Sequence, residues 1–256
     1  MTDSRRLRVV HEAPSPFGTV YVVDEGDQRS LRFDSAGGTL QSAFLKSDPL
    51  AITTSYVRVA AAGLAFTRRR ERVLVVGLGG GAFPLMLHRR LPRVRVDVVE
   101  LNPVVVDVAR RFFGVRPDSR LRIHVEDGAR YILRREPPYD LIFLDAFSDQ
   151  GTPDHLKEAL FLDQVRARLS TQGVAVLNIA LETPRDVEAR IETFARTFPG
   201  CAVLRGTPET GNRILVGTRR PLPPELVFRK RMSQLARELE LPALHHSVAS
   251  FEPVPG

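Results

Sequence analysis

Four aliphatic residues run directly into a glycine cluster at Val73-Leu-Val-Val-Gly-Leu-Gly-Gly-Gly-Ala82, and this stretch constrains the fold more than any other. An aliphatic run that ends in glycines and leads into a helical segment reads as a strand–loop–helix unit. The next aliphatic run, Val94-Arg-Val-Asp-Val-Val-Glu100, ends in an acid. Such glycines let a nucleoside-bearing cofactor approach the backbone closely, and an acid on the neighbouring strand can accept hydrogen bonds from ribose hydroxyls. The pattern fits the dinucleotide fingerprint G-x-G-x-x-A as well as an S-adenosyl loop, so NAD and S-adenosyl cofactors both stay open at this point.

From Arg72 onward strands and helices alternate. The predicted strands are Val73–Val76, Val94–Val99, Leu121–Val125, Leu141–Leu144, Val174–Ile179, Ala202–Leu204 and Arg213–Val216. Helices are predicted near 82–91, 103–113, 128–135, 154–169 and 184–197. This alternation argues for an α/β fold with a mostly parallel, doubly wound sheet of seven strands, closed by an antiparallel edge pair through Gly206–Gly211. Ahead of it, residues 7–45 read as β, in short β-branched runs separated by Gly18, Gly26-Asp27 and Gly37-Gly38. A helix is expected over Thr54–Phe66, and a last amphipathic helix over Pro224–Glu240 precedes a proline-rich tail. The expected organisation is a small β domain (1–50), a Rossmann-like domain (51–220) and a C-terminal helix and tail (221–256).

Composition narrows the class. No apolar run is long enough to span a bilayer, and Met-Thr-Asp-Ser-Arg-Arg-Leu-Arg lacks the apolar core of a signal peptide. The expectation is a cytoplasmic protein with no membrane partner. The single cysteine, Cys201, excludes an intrachain disulfide framework and a cysteine-based zinc cluster. The net charge of +7 raises a nucleic-acid partner. Lysine occurs only at 46, 157 and 230, so 34 of the 37 basic residues are arginine, scattered as pairs on Ala/Val/Leu-rich elements. With no Trp and few aromatics among the basic residues, base-stacking platforms lack support, and nucleic acid is not the expected partner.

Open α/β sheets bind ligands at the carboxyl ends of their strands. After the first strand come Gly77, Gly79 and Gly81; after the second, Glu100; after the third, Asp127-Gly128; after the fourth, Asp145-Ala-Phe-Ser-Asp149. Each alone could be a helix N-cap or a turn, and for Asp127 that reading is the simpler one. Four consecutive strands ending in glycine or acid make a stronger pattern than any one. Glu136-Pro-Pro-Tyr139 lies before the fourth strand and reads as a loop. His245-His246 lacks the acids or cysteines of a metal site, and no metal is expected. His155 reads as a solvent-exposed residue at a helix start.

On these motifs residues 7–218 resemble the spermidine synthase (polyamine aminopropyltransferase) family, which has the class I S-adenosylmethionine methyltransferase fold. The resemblance implies that Glu100 holds the ribose hydroxyls, that Asp127-Gly128 contacts the adenine, and that Asp145 is the first aspartate of the family's D-x-x-D segment, which deprotonates and positions the attacking amine. It also implies cofactor binding by Gln41 and a catalytic tyrosine at Tyr56, the acceptor's second cationic group at Asp149, and a homodimer. The cofactor would be decarboxylated S-adenosylmethionine or S-adenosylmethionine itself.

Three departures accompany it. The family loop G-G-G-D-G-G is here Gly77-Leu-Gly-Gly80-Gly-Ala, so Gly80 replaces the aspartate that greets the aminopropyl tail. The D-x-x-D spacing is one residue longer. No tyrosine follows Tyr139. The first expectation is therefore aminopropyl transfer to a polyamine-like small amine. Methyl transfer from S-adenosylmethionine is the alternative, and a non-catalytic nucleoside-binding protein a further one.

Overall fold

The computed structural model of the chain describes residues 7–38, 40–49, 51–134, 137–147, 151–180, 182–206 and 212–255. The described residues form two sheets. The first is an antiparallel meander of β1 (Arg8–Ser15), β2 (Gly18–Glu25), β3 (Gln28–Phe33) and β4 (Leu40–Leu45), in that order. The second has eight strands: β5 (Arg72–Val76), β6 (Arg95–Glu100), β7 (Leu121–Val125), β8 (Tyr139–Leu144), β9 (Leu169–Ile179), β10 (Gly200–Arg205), β11 (Arg213–Thr218) and β12 (Ser250–Val254). Their spatial order is β12-β10-β11-β9-β8-β5-β6-β7. The pairs β7–β6, β6–β5, β5–β8 and β8–β9 are parallel, and β11 runs antiparallel to both β9 and β10.

All seven expected strands form, and β12 adds an eighth from what the sequence reads as a tail. Its Phe251 stacks on Phe228, with ring centroids 5.2 Å apart, and on Phe66. Pro253 is tolerated because β12 lies at the sheet edge, where a missing backbone donor costs no interior ladder bond. Tyr139, expected in a loop, is the first residue of β8 and is fully buried, its hydroxyl donating to Asp97 at 3.0 Å. Glu136 and most of the expected β10–β11 turn (207–211) lie outside the described residues.

Period-two alternation explains why the large sheet is covered on both faces. Val73 and Val75 of β5, with Leu141 and Phe143 of β8, enter one core; Leu74 and Val76, with Ile142 and Leu144, enter the other. The first core is completed by α1 (Ser55–Ala62), α2 (Ala82–Arg90), α3 (Pro103–Phe112) and α7 (Glu225–Glu238). The second is completed by α4 (Gly128–Ile132), α5 (Ala159–Arg168) and α6 (Pro184–Thr197). Among the described residues no helix is long and apolar enough to cross a membrane.

The small sheet is tied to the large one at defined points. Asp24, nearly buried, pairs with Arg29 at 2.8 Å and Lys46 at 3.2 Å, which hold its carboxyl down at about 2. Arg29 also donates to the Phe112 carbonyl at the end of α3. On the other side, Asn102 Nδ2 donates to Ser15 Oγ at 2.9 Å, fixing the β1–β2 turn beside the end of β6. Together these contacts set β4 and that turn over the carboxyl ends of the parallel strands.

Candidate functional site

A cavity of about 470 Å³ lies where the strand order reverses, at the carboxyl ends of β5, β6 and β8. Its lining brings together Gln41, Tyr56, Gly77, Gly79, Glu100, Asp127, Gly128 and Asp145, residues spread over more than 100 positions of sequence. Gly81 is not on its wall. That residue caps the start of α2, and a Cβ there would meet Val115. Asp149 lies outside the described residues.

The glycine loop is shaped by close approach. Gly77 has φ +101°, and a Cβ on it would sit 2.2 Å from the Asp145 carbonyl oxygen. Only glycine lets the ends of β5 and β8 approach this closely. Glu100 then crosses beneath the loop: Oε2 accepts from the Leu78 N–H at 2.8 Å and Oε1 from the Asn102 N–H at 2.9 Å. Burial raises the Glu100 carboxyl above its ordinary value, against the lowering effect of these backbone donors. The Leu101 and Gly79 N–H groups act on the same carboxyl, which still lines the cavity.

Asp127 combines both readings made from the sequence. It is the N-cap of α4, with Oδ1 accepting from the Arg130 N–H at 3.0 Å, and it also lines the cavity. Its Oδ2 lies 2.9 Å from His155 Nε2. His155 is half exposed, as expected, yet it stands on the cavity wall rather than away from it.

Asp145 sits at the mouth of β8. Tyr56 Oη donates to its Oδ2 at 3.3 Å and Asn178 Nδ2 to its Oδ1 at 2.8 Å. Asn178 in turn accepts from Asn212 Nδ2 at 2.9 Å. Burial pushes the Asp145 carboxyl up to about 7; the two donors oppose this, and the negative charge of Glu100 adds to it. Burial likewise raises the Tyr56 hydroxyl well above its ordinary value, so it stays a donor. A second cavity of about 340 Å³ adjoins the first at Gln41, Tyr56 and Phe147 and is lined by Asn178 and Asn212.

Gly80 explains itself only in three dimensions. A Cβ there would lie 2.8 Å from Phe113 Cδ1 and 2.8 Å from Ser42 Oγ. The space of a missing side chain is therefore filled by a buried ring and by a hydroxyl that also lines the cavity. Sequence reasoning missed Ser42, Asn178, Asn212 and the aromatic turn residue Phe17, all on cavity walls. The only signal for the two asparagines is a polar residue at the end of an otherwise apolar strand and one just before the next. The rings of His245 and His246 lie 3.7 Å apart, and among the described residues no group of three or more histidine, cysteine or acidic residues could hold a metal.

The family model of the spermine/spermidine synthase domain matches residues 57–199. The polyamine aminopropyltransferase of Vibrio vulnificus is 32% identical over 237 residues, covering 91% of this chain and 79% of that protein. A probable spermidine synthase from Corynebacterium glutamicum superposes with a TM-score of 0.77 over 96% of this chain and 91% of its own; at 19% identity this speaks for the fold alone. Human methyltransferase-like protein 13, solved in complex with SAH, superposes with a TM-score of 0.69 at 28% identity, over 73% of this chain and 93% of its own.

Proposed function

The chain belongs to the spermine/spermidine synthase family, and from that premise we propose that it transfers an aminopropyl group from decarboxylated S-adenosylmethionine to a small polyamine-like amine. The observation that carries this reading is Asp145, a carboxyl raised to about 7 on the wall of the first cavity and held by a tyrosine and an asparagine donor that both line the second.

The residues present fit an S-adenosyl group. Gly77 and Gly79 present no side chain to the cavity, Glu100 lines it with a carboxyl where a ribose would lie, and Asp127 offers an acceptor farther along the same wall. When bound, such a cofactor supplies an electrophilic carbon beside its sulfonium. The chain's own residues do the rest. An alkylamine at neutral pH is mostly protonated, since its ordinary pKa is ~10. Asp145 holds that cation and takes its proton as the nitrogen lone pair is released for attack. A carboxyl near 7 is better matched to this task than one near 4, because it is still substantially ionised at neutral pH and a stronger base. Tyr56 and Asn178 orient the carboxylate, and the second cavity provides space for the acceptor beyond the nitrogen. Asp149 is assigned to the acceptor's distal ammonium by resemblance.

A second reading, methyl transfer from S-adenosylmethionine, is favoured by Gly80. The wall there presents the Ser42 hydroxyl and no carboxylate for an aminopropyl ammonium. The cofactor class is tested by calorimetric titration with methylthioadenosine, S-adenosylmethionine and NAD. Binding of either S-adenosyl-type ligand supports the proposal, and binding of NAD alone contradicts it.

A further inference from the structure

His155 has no part in the chemistry above, yet its side chain meets that of Asp127 across the cavity wall. It stands in the 3₁₀ turn Asp154–Leu156, which follows β8, while Asp127 opens α4 after β7. The two are 28 residues apart in sequence, and the order of the sheet brings their side chains to 2.9 Å. A carboxylate only accepts hydrogen bonds, so Nε2 carries the hydrogen. Asp127 is thereby pinned from two directions: Oδ1 by the Arg130 N–H of its own helix and Oδ2 by His155. With both oxygens anchored by donors, what remains toward the cavity is acceptor capacity.

We infer that His155 is a positioning residue for nucleobase recognition: it fixes the Asp127 carboxylate so that the site selects 6-amino over 6-oxo purine nucleosides. This rests on the reading above that Asp127 faces the base. A 6-amino purine offers an N–H to the fixed acceptor. A 6-oxo purine places a carbonyl oxygen against it, leaving two acceptors facing each other, which a site built for a donor rejects. Without His155 the carboxylate is held on one oxygen only and can turn away. Because His155 is half exposed, its hydrogen bond to Asp127 adds little to folding stability. An orienting role is therefore separable from a structural one.

The test is calorimetric binding of methylthioadenosine and its 6-oxo analogue methylthioinosine to the wild type and to His155→Ala, His155→Gln and Asp127→Asn. Asparagine preserves the helix cap, and thermal melting confirms that each variant is folded. The wild type is expected to prefer the 6-amino ligand. His155→Ala should narrow that preference by about fivefold, the scale of one side-chain hydrogen bond, mainly by weakening methylthioadenosine. His155→Gln should restore it through its amide donor. An unchanged ratio in His155→Ala, with Asp127→Asn losing the preference, overturns the role of His155 alone. A preference that survives Asp127→Asn as well overturns the placement of the base and the inference with it. A wild type that binds neither nucleoside overturns both.

Discussion

Asn178 Nδ2 donates to Asp145 Oδ1 at 2.8 Å, joining the carboxyl ends of two adjacent parallel strands into one polar unit at the cavity. The contact opposes the effect of burial on the carboxyl, which still stands at about 7. Asn178 thereby tunes the group to which the proposed chemistry assigns the proton.

Removing that donor should be visible in a pH profile. The transfer rate is expected to rise with pH as Asp145 ionises, with its acid limb near 7 in the wild type. Asn178→Ala takes away a donor to the ionised form, so the limb should move up by about one pH unit. Rate measurements between pH 5 and 9 would show this. A limb that stays in place while the rate falls uniformly would make Asn178 merely structural.

The same carboxyl should make the fold less stable as pH rises. Asp145 has an ordinary value of 3.8 and is raised to about 7 in the folded protein. Across that window the unfolded chain ionises while the folded chain keeps its proton, so stability is full below the lower value and falls toward the upper one. Asp145→Asn carries no such penalty. Its melting temperature should exceed that of the wild type at pH 8, and the gap should close near pH 4. Equal melting temperatures at both pH values would contradict the raised carboxyl.

Position 80 gives a packing prediction. An aspartate there would drive its Cβ into Phe113 and Ser42, each 2.8 Å away. Gly80→Asp should destabilise the protein by about 1–3 kcal/mol, the usual cost of overpacking. Phe113→Leu should lessen that cost, so the double variant is more stable than the two single losses predict. Denaturant melts of the four proteins measure the coupling. Strict additivity would show that Phe113 is not the obstacle.

The parallel core of the large sheet was legible because β5, β6 and β8 are short aliphatic runs that lead into glycine or acid. β5 and β6 carry their chemistry at or just past their last residues, so Gly77 and Glu100 could be found by reading to the end of each run. Asn178 could not be found that way. Its role exists only because β9 packs beside β8, and nothing local to it reports that neighbour. His155 and Asp127 were each readable, but their contact depends on a turn crossing back over the strand ends. Gly80 was legible as the loss of an aspartate; that Phe113, 33 positions away, fills the space was not. β12 escaped because Ser250–Val254 has weak periodicity and contains a proline, and it is held by aromatic packing on Phe228 rather than by its own pattern. The expected acceptor contact at Asp149 lies outside the described residues.

The central claim is that Asp145 takes a proton from an amine while an aminopropyl group is transferred to it. The direct measurement incubates the protein with decarboxylated S-adenosylmethionine or S-adenosylmethionine and a panel of amines, and identifies the nucleoside released. The account predicts methylthioadenosine from the decarboxylated cofactor in the presence of a small amine, with the rate falling by about 100-fold or more in Asp145→Asn, the range typical of a lost general base. S-adenosylhomocysteine as the sole product would replace aminopropyl by methyl transfer, and undiminished turnover in Asp145→Asn would contradict the mechanism whichever product formed.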